Sequence, residues 1–228
     1  MNNLAIIPAR GGSKRIPRKN IKKFLGKPIL AYSIEAAIGS GLFSEVIVST
    51  DDHEIAEIAQ KYGAKVPFFR SAKNSGDFAT TFDVVEEVII KYAELGVTFA
   101  DICCIYPCAP FVRLEILNEA YSLFKAKKFD SVFPVVKFSN PVQRALKMIG
   151  EKIIMVSPEF QNVRSQDLEP RYFDAGQFYW LNSLALLEQK LIFSNNSGSI
   201  ILDELSAHDI DNEIDWEIAE LKYSLIKK

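Results

Sequence analysis

The sequence has 228 residues, 48% of them apolar and 25% charged, with a formal net charge of −2. That length and composition suit one α/β domain with its own core and no need of disulfide staples. The near-neutral balance excludes a global attraction for nucleic acid or anionic membrane, and no apolar run approaches the roughly 20 residues that span a bilayer.

In chain order, Leu4 to Pro8 predicts a buried strand feeding the loop Ala9 to Asn20. Pro28 to Ile38 predicts a helix with proline in its first turn, closed by Gly39 and Gly41. Val46 to Ser49 reads as a second strand. Asp52 is a fair N-cap for a helix from His53 to Tyr62, with Gly63 as its stop. Val66 to Phe69 reads as a short strand, Phe82 to Glu94 as a helix, and Ile102 to Tyr106 as a strand halted by Pro107 and Pro110. A helix from Leu114 to Lys127 and a strand from Ser131 to Val136 continue the alternation. Strands alternating with helices imply a three-layer, mostly parallel sheet, which binds ligands beyond the carboxyl ends of its strands. From about residue 138 to 174 the rhythm changes, with a strand pair around Gly150-Glu151 and then an irregular polar stretch. This reads as an inserted segment that covers a pocket or pairs with a second subunit. A strand from Phe178 to Leu181, a helix from Ser183 to Glu188, a strand from Ser199 to Leu202 and a helix from Trp216 to Leu225 complete the chain.

Charge is unevenly placed. No acidic residue precedes Glu35, whereas Arg10, Lys14, Arg15, Arg18, Lys19, Lys22, Lys23 and Lys27 do; from Asp203 to Glu220 the pattern reverses. A basic loop and an acidic segment brought together would suit a polyphosphate and its cation; kept apart, they would be two solvated faces. In Pro8-Ala9-Arg10-Gly11-Gly12-Ser13-Lys14-Arg15-Ile16-Pro17-Arg18-Lys19-Asn20, paired glycines allow backbone N–H groups to approach a phosphate while Arg10, Lys14 and Lys19 neutralise it. The spacing matches neither a Walker A loop nor a dinucleotide fingerprint, and a basic surface turn is the alternative. In His208-Asp209-Ile210-Asp211-Asn212-Glu213-Ile214-Asp215, an extended backbone would put Asp209 and Asp211 on one face, ready for a hard cation. The alternative is an Asp-rich turn capping the last helix through Asn212 or Asp215.

A third group comprises Arg164-Ser165-Gln166-Asp167-Leu168-Glu169 and Asp174-Ala175-Gly176-Gln177-Phe178-Tyr179-Trp180. Arg164 and Gln177 are candidates for a carboxylate or hydroxyl-rich ligand, as are Gln143 and Arg144. Tyr179 and Trp180 point to opposite faces if extended, one into the core and the other toward a cleft. Cys103, Cys104 and Cys108 have neither CxxC spacing nor a nearby histidine, so structural zinc is not expected. Their odd number, with no signal-peptide pattern, fits a cytoplasmic setting.

These constellations, in this order, resemble the CMP-sialic acid synthetase family of cytidylyltransferases over nearly the whole chain, and most closely its pseudaminic acid branch. The opening Ile6-Ile7-Pro8 through Asn20 carries the superfamily likeness; the segments 164–169 and 174–180 favour the branch. The resemblance implies a Rossmann-like nucleotidyltransferase fold in one domain, 1–228, with a dimerisation or lid segment near 138–174 that reaches the neighbour's site in a homodimer. It implies CMP transfer from CTP to a nonulosonic sugar acid with Mg²⁺ as cofactor, serving nucleotide-sugar biosynthesis for cell-surface glycans such as flagellin glycosylation. Residue by residue, it makes Ala9, Arg10, Gly11, Gly12, Ser13, Lys14 and Lys19 the nucleotide loop, places cytosine near Ala9, Arg10 and Ser75 to Thr81 (Thr80 included), and makes Asp209 and Asp211 the Mg²⁺ ligands. Arg10, Lys14, Lys19 and Asp211 then carry the chemistry. Tyr106, Gln143, Arg144, Arg164, Gln177 and Tyr179 surround the sugar acid. Sialic acid and Kdo enzymes typically have Gln where Tyr106 precedes Pro107 here, and Arg113 sits one residue late; both departures fit a differently substituted acceptor. Transfer to sialic, legionaminic or Kdo acid, or a non-catalytic nucleotide-binding module, are the other readings.

Overall fold

In the computed structural model, which describes residues 2–226, the chain enters with β1 (Asn3–Pro8) and a loop. The short pair β2 (Lys23–Phe24) and β3 (Lys27–Pro28) leads into α1 (Ile29–Ser40). Next come β4 (Glu45–Ser49), α2 (His53–Lys61), α3 (Thr81–Glu94), β5 (Asp101–Ile105), α4 (Leu114–Lys127) and β6 (Ser131–Lys137). A hairpin of β7 (Leu146–Ile149) and β8 (Lys152–Met155) precedes β9 (Tyr172–Asp174) and β10 (Phe178–Asn182). The chain then runs through α5 (Ser183–Gln189), β11 (Ser197–Leu202) and α6 (Glu213–Ile226).

The main sheet has seven strands in the order β11-β6-β10-β5-β1-β4, with β9 added beside β6. β4, β1, β5, β6 and β11 run in one direction, and β10 and β9 run against them. β10 can reverse because the chain reaches it from the 138–174 segment and not through a crossover helix.

Alternation along the strands builds the layers. Ala5 and Ile7 of β1 face a core shared with Leu30 and Ile34 of α1, Ile55 of α2 and Leu117 and Phe124 of α4. Leu4 and Ile6 face the opposite core with Val85 and Val88 of α3 and Leu186 of α5. Helices therefore cover both faces, giving a three-layer α/β/α fold. A third cluster, with Ile16, Phe24, Ile29, Ile210 and Trp216, fastens α6 and the first loop to the start of α1.

Local signals place the helix starts. The Asp52 carboxylate accepts from Ile55 N at 3.0 Å, and Thr80 with Asp83 forms a reciprocal capping box for α3. The strand expected at 66–69 does not form. Lys65 makes an isolated bridge to Ile47, after which Pro67 has no N–H to donate and Arg70 N turns back to Thr50 O at 2.8 Å. The hairpin β7–β8 forms its own two-stranded sheet, and β9 returns the chain to the main sheet.

Candidate active site

A cleft of about 560 Å³ opens at the carboxyl ends of β1 and β5, lined on one side by Arg10, Ser13, Lys14, Arg15, Lys19 and Asn20. Arg70, Asp77, Thr80, Thr81 and Tyr106 are on its other walls. An open, mostly parallel α/β sheet binds its ligands here, in the crevice outside the carboxyl ends of its strands.

The glycine loop is tied down at several points. Gly11 N donates to the Asp51 carboxylate at 2.9 Å, and Asn20 Nδ2 donates to Arg10 O at 2.9 Å. Arg18, in the left-handed region with φ 56°, grips Asp52 through both terminal nitrogens and also reaches Glu54. That fork, helped by the α2 cap, holds the Asp52 carboxyl down at about 2. Ala9 is buried beneath the loop, and Gly11 packs directly on Asp52.

Five cationic side chains line the cleft: Arg10, Lys14, Arg15, Lys19 and Arg70. Asp77 sits on two of them, 2.9 Å from Arg10 Nη1 and in an ion pair with Lys14. Those cations hold the Asp77 carboxyl below its ordinary range, with Lys14 the larger influence. Arg70 was not singled out in the sequence. It is buried against the end of β4, with Nε on Ser49 Oγ at 3.1 Å and Nη2 on Ser49 O. Burial lowers its pKa, yet an arginine stays charged, so a partly desolvated cation faces the cleft. A lone basic residue after a short apolar run carries no motif, and only its burial marks it.

The acidic segment meets the basic loop from the side. Arg15 Nη1 pairs with Asp211 at 2.7 Å, and Lys19 Nζ donates to Ile210 O at 2.7 Å. Asn212 and Asp215 take the capping work, accepting from Ile214 N, Asp215 N, Asp211 N and Asn212 N. Asp209 and Asp211 are thereby left out of the helix cap. Burial first, then the neighbouring Asp211 carboxylate, raises Asp209 above the ordinary range. Two adjacent carboxylates under mutual repulsion suit a hard cation that takes one or two protein carboxylates and completes its shell with water and phosphate oxygens. Among the described residues no group of three or more such side chains could hold an ion by itself.

The remaining candidates fall in two places. Tyr106 lines the cleft, its hydroxyl 2.9 Å from Thr81 Oγ1. Tyr179 is buried beneath it, so both Tyr179 and Trp180 are core residues, on opposite faces of β10. Gln177 is buried too and donates to Ser206 O at 2.6 Å. Gln143, Arg144 and Arg164 belong to the inserted segment and bond within it, to Glu169 O, Ser165 Oγ and Asp167 respectively. None of the three lines the cleft.

The fold is that of the nucleotidyltransferases. A solved CMP:2-keto-3-deoxy-manno-octonic acid synthetase, complexed with CTP, superposes over 99% of both chains with a TM-score of 0.71 at 16% identity. A 4-diphosphocytidyl-2C-methyl-D-erythritol synthase from Anaerococcus prevotii matches 97% of this chain and 98% of its own with a TM-score of 0.64 at 13% identity. The chain belongs to the cytidylyltransferase family, whose model matches residues 4–195. A pseudaminic acid cytidylyltransferase from Campylobacter jejuni is 43% identical over 226 residues, covering 99% of this chain and 97% of the relative. A CMP-N,N'-diacetyllegionaminic acid synthase from Legionella pneumophila is 34% identical over 96% of this chain and 95% of its own.

Proposed function

We propose that this chain transfers CMP from CTP to the anomeric hydroxyl of a nonulosonic sugar acid, pseudaminic acid, with release of pyrophosphate. The observation that carries this reading is the pairing of a cleft lined by Arg10, Lys14, Arg15, Lys19 and Arg70 with the Asp209–Asp211 pair at its border. The 43% identity to a pseudaminic acid cytidylyltransferase, against 34% to a legionaminic acid synthase, favours that acceptor.

The triphosphate takes the place of Asp77 on Arg10 and Lys14, with the Gly11–Ser13 backbone beside it. Lys14, Arg10 and Lys19 stabilise the charge that develops on the departing pyrophosphate, which is electrostatic catalysis by preorganised groups. Asp209 and Asp211 would hold Mg²⁺, which when bound polarises the phosphate oxygens and lowers the pKa of a coordinated hydroxyl. Asp211 would accept the proton of the attacking hydroxyl, the alternative being a metal-lowered hydroxyl pKa with no protein base. Cytosine sits against Arg10 and the 75–81 loop with Thr80; Ala9, expected beside it, is fully buried under the loop.

Residues 138–174 serve as the dimerisation segment of a single cytidylyltransferase domain. Leu146, Met148 and Ile153 share one face of its hairpin and are exposed, an apolar surface that a second copy would cover; Ile149 and Ile154 are exposed on the other face. In that homodimer Gln143, Arg144 and Arg164 reach the sugar acid in the neighbour's cleft. No helix among the described residues is long and apolar enough to cross a membrane. We place the enzyme in the cytoplasm because its nucleotide substrate, CTP, is made and held there.

The test is pyrophosphate release over a matrix of nucleoside triphosphates and sugar acids, with and without Mg²⁺. CTP with pseudaminic acid and Mg²⁺ should give the highest kcat/KM. Asp209→Asn and Asp211→Asn should each lower turnover at saturating CTP more than tenfold. Tight CTP binding without pyrophosphate release on any sugar acid would overturn the reading.

A further inference from the structure

Both oxygens of the Asp77 carboxylate are spent on the phosphate cations. Oδ1 lies 2.9 Å from Arg10 Nη1, and Oδ2 pairs with Lys14 Nζ. A phosphate group would present its oxygens to the same two cations. The segment that carries Asp77 is fastened at its ends and loose between them. At one end Ser75 Oγ donates to Ser71 O at 2.8 Å, and Asn74 Nδ2 donates to Glu87 Oε2 at 2.6 Å. At the other, Thr80 N donates to Asp83 Oδ2 at 2.8 Å within the α3 capping box. Among the described residues, 76–79 make no hydrogen bond or ion pair besides those of the Asp77 carboxylate. Phe78 is 99% exposed, and a Cβ built on Gly76 meets nothing within 4 Å, so the tip of the segment is not packed on the core.

Exposed ion pairs of this kind are weak, so one carboxylate gives way readily to a ligand that brings several charges. We propose that Asp77 is an internal competitor for the phosphate subsite: its carboxylate leaves Arg10 and Lys14 as CTP enters and returns to them as pyrophosphate departs. Ser75 and Thr80 stay pinned, so residues 76–79 move while the ends of the loop beside cytosine do not. Any ligand that needs both cations is weakened by the fraction of molecules in which Asp77 holds them. A ligand without phosphate does not meet that competition. After transfer the same carboxylate keeps pyrophosphate from remaining on the cations. This inference rests on the proposed phosphate subsite and adds how that subsite is filled and emptied.

Asp77→Asn keeps the shape of the side chain and removes its charge. In calorimetric titrations with metal-free pyrophosphate, its Kd should fall at least about threefold below that of the wild type, the size expected when two exposed ion pairs no longer compete. The Kd for CTP should fall by a similar factor, and that for cytidine should change less than about 1.5-fold. Asp77→Glu restores the charge and should return the Kd for pyrophosphate toward the wild-type value. Phe78→Trp makes the movement visible. Read against the same protein without it, this reporter should change its fluorescence when pyrophosphate is added. In the Asp77→Asn background it should show the ligand-bound signal before any addition, which mere loss of a nearby negative charge would not produce. An unchanged Kd for pyrophosphate in Asp77→Asn, an equal gain for cytidine, or a reporter that stays silent with Asp77 in place would overturn the inference. These titrations need no acceptor and no turnover. A wild type that binds pyrophosphate yet transfers CMP to no sugar acid overturns the proposed reaction alone, and one that does not bind pyrophosphate overturns both.

Discussion

Gly11 and Gly12 stand side by side in the loop, and the structure assigns them different tolerances. A Cβ built on Gly11 falls 2.7 Å from Asp52 Oδ2, 3.0 Å from its Cβ and 3.2 Å from its Cγ; one built on Gly12 meets nothing within 4 Å. The first contact is roughly 0.5–1 Å short of ordinary van der Waals separation. Asp52 cannot move aside without loss, because it caps α2 through Ile55 N and receives both terminal nitrogens of Arg18. Gly11→Ala should therefore behave as overpacking against a fixed group, costing about 1–3 kcal/mol. For a chain of this length that is a fall in Tm of about 2–12 °C. Gly12→Ala should leave Tm within about 1 °C, as an exposed substitution with no contact to break. Thermal unfolding of both variants without nucleotide reads this directly. The added methyl of Gly11→Ala displaces the loop, so that variant should also bind CTP more weakly, seen as a raised KM. Equal Tm values for the two variants would refute the idea that the Arg18–Asp52 fork holds the loop against its glycine.

Glu87 accepts from Ser71 N, Ser71 Oγ, Asn74 Nδ2 and Lys91 Nζ at 2.6–2.8 Å, and so anchors the loop that carries Asp77. Burial works to raise its carboxyl, but those donors outweigh it and hold it at about 2, against an ordinary 4.5. A depressed carboxylate contributes stability above the unfolded pKa and loses it as pH falls from about 4.5 through about 2. Glu87→Gln should thus lose up to about 3 kcal/mol at pH 7 and show a flatter fall in stability between pH 4.5 and 2, measured by urea unfolding across that range. Met148 and Ile153 face each other across the β7–β8 hairpin and are exposed. If the proposed homodimer holds, replacing both with lysine should halve the mass seen in sedimentation and lower turnover more than tenfold, since Arg144 and Arg164 would lose the neighbour's cleft; a fully active monomer would contradict that proposal.

Much of this protein was legible in the chain alone. The alternation of apolar runs with helical stretches determined the three-layer α/β/α plan, because periodicity and a cap such as Asp52 are local properties. The paired glycines and surrounding cations of residues 10–19 marked the loop, and the i, i+2 spacing marked Asp209 and Asp211, for the same reason. Other features depend on neighbours remote in sequence. The 66–69 segment has strand composition, yet Pro67 and the turn at Arg70 leave it a single bridge to Ile47. Strand β10 looks like any other apolar run; its reversed direction comes from the path that delivers it between β5 and β6. Tyr179 was expected to share the cleft with Tyr106 but lies in the core under it. Arg70 lining the cleft and Asp77 on Arg10 and Lys14 carry no motif at all. Their partners are brought to them by the packing of the sheet and its loops. The sequence by itself determined which residues could carry charge and how each segment would run locally. Only the tertiary structure decided which charges meet, because a hydrogen bond or ion pair depends on distances that sequence separation does not set.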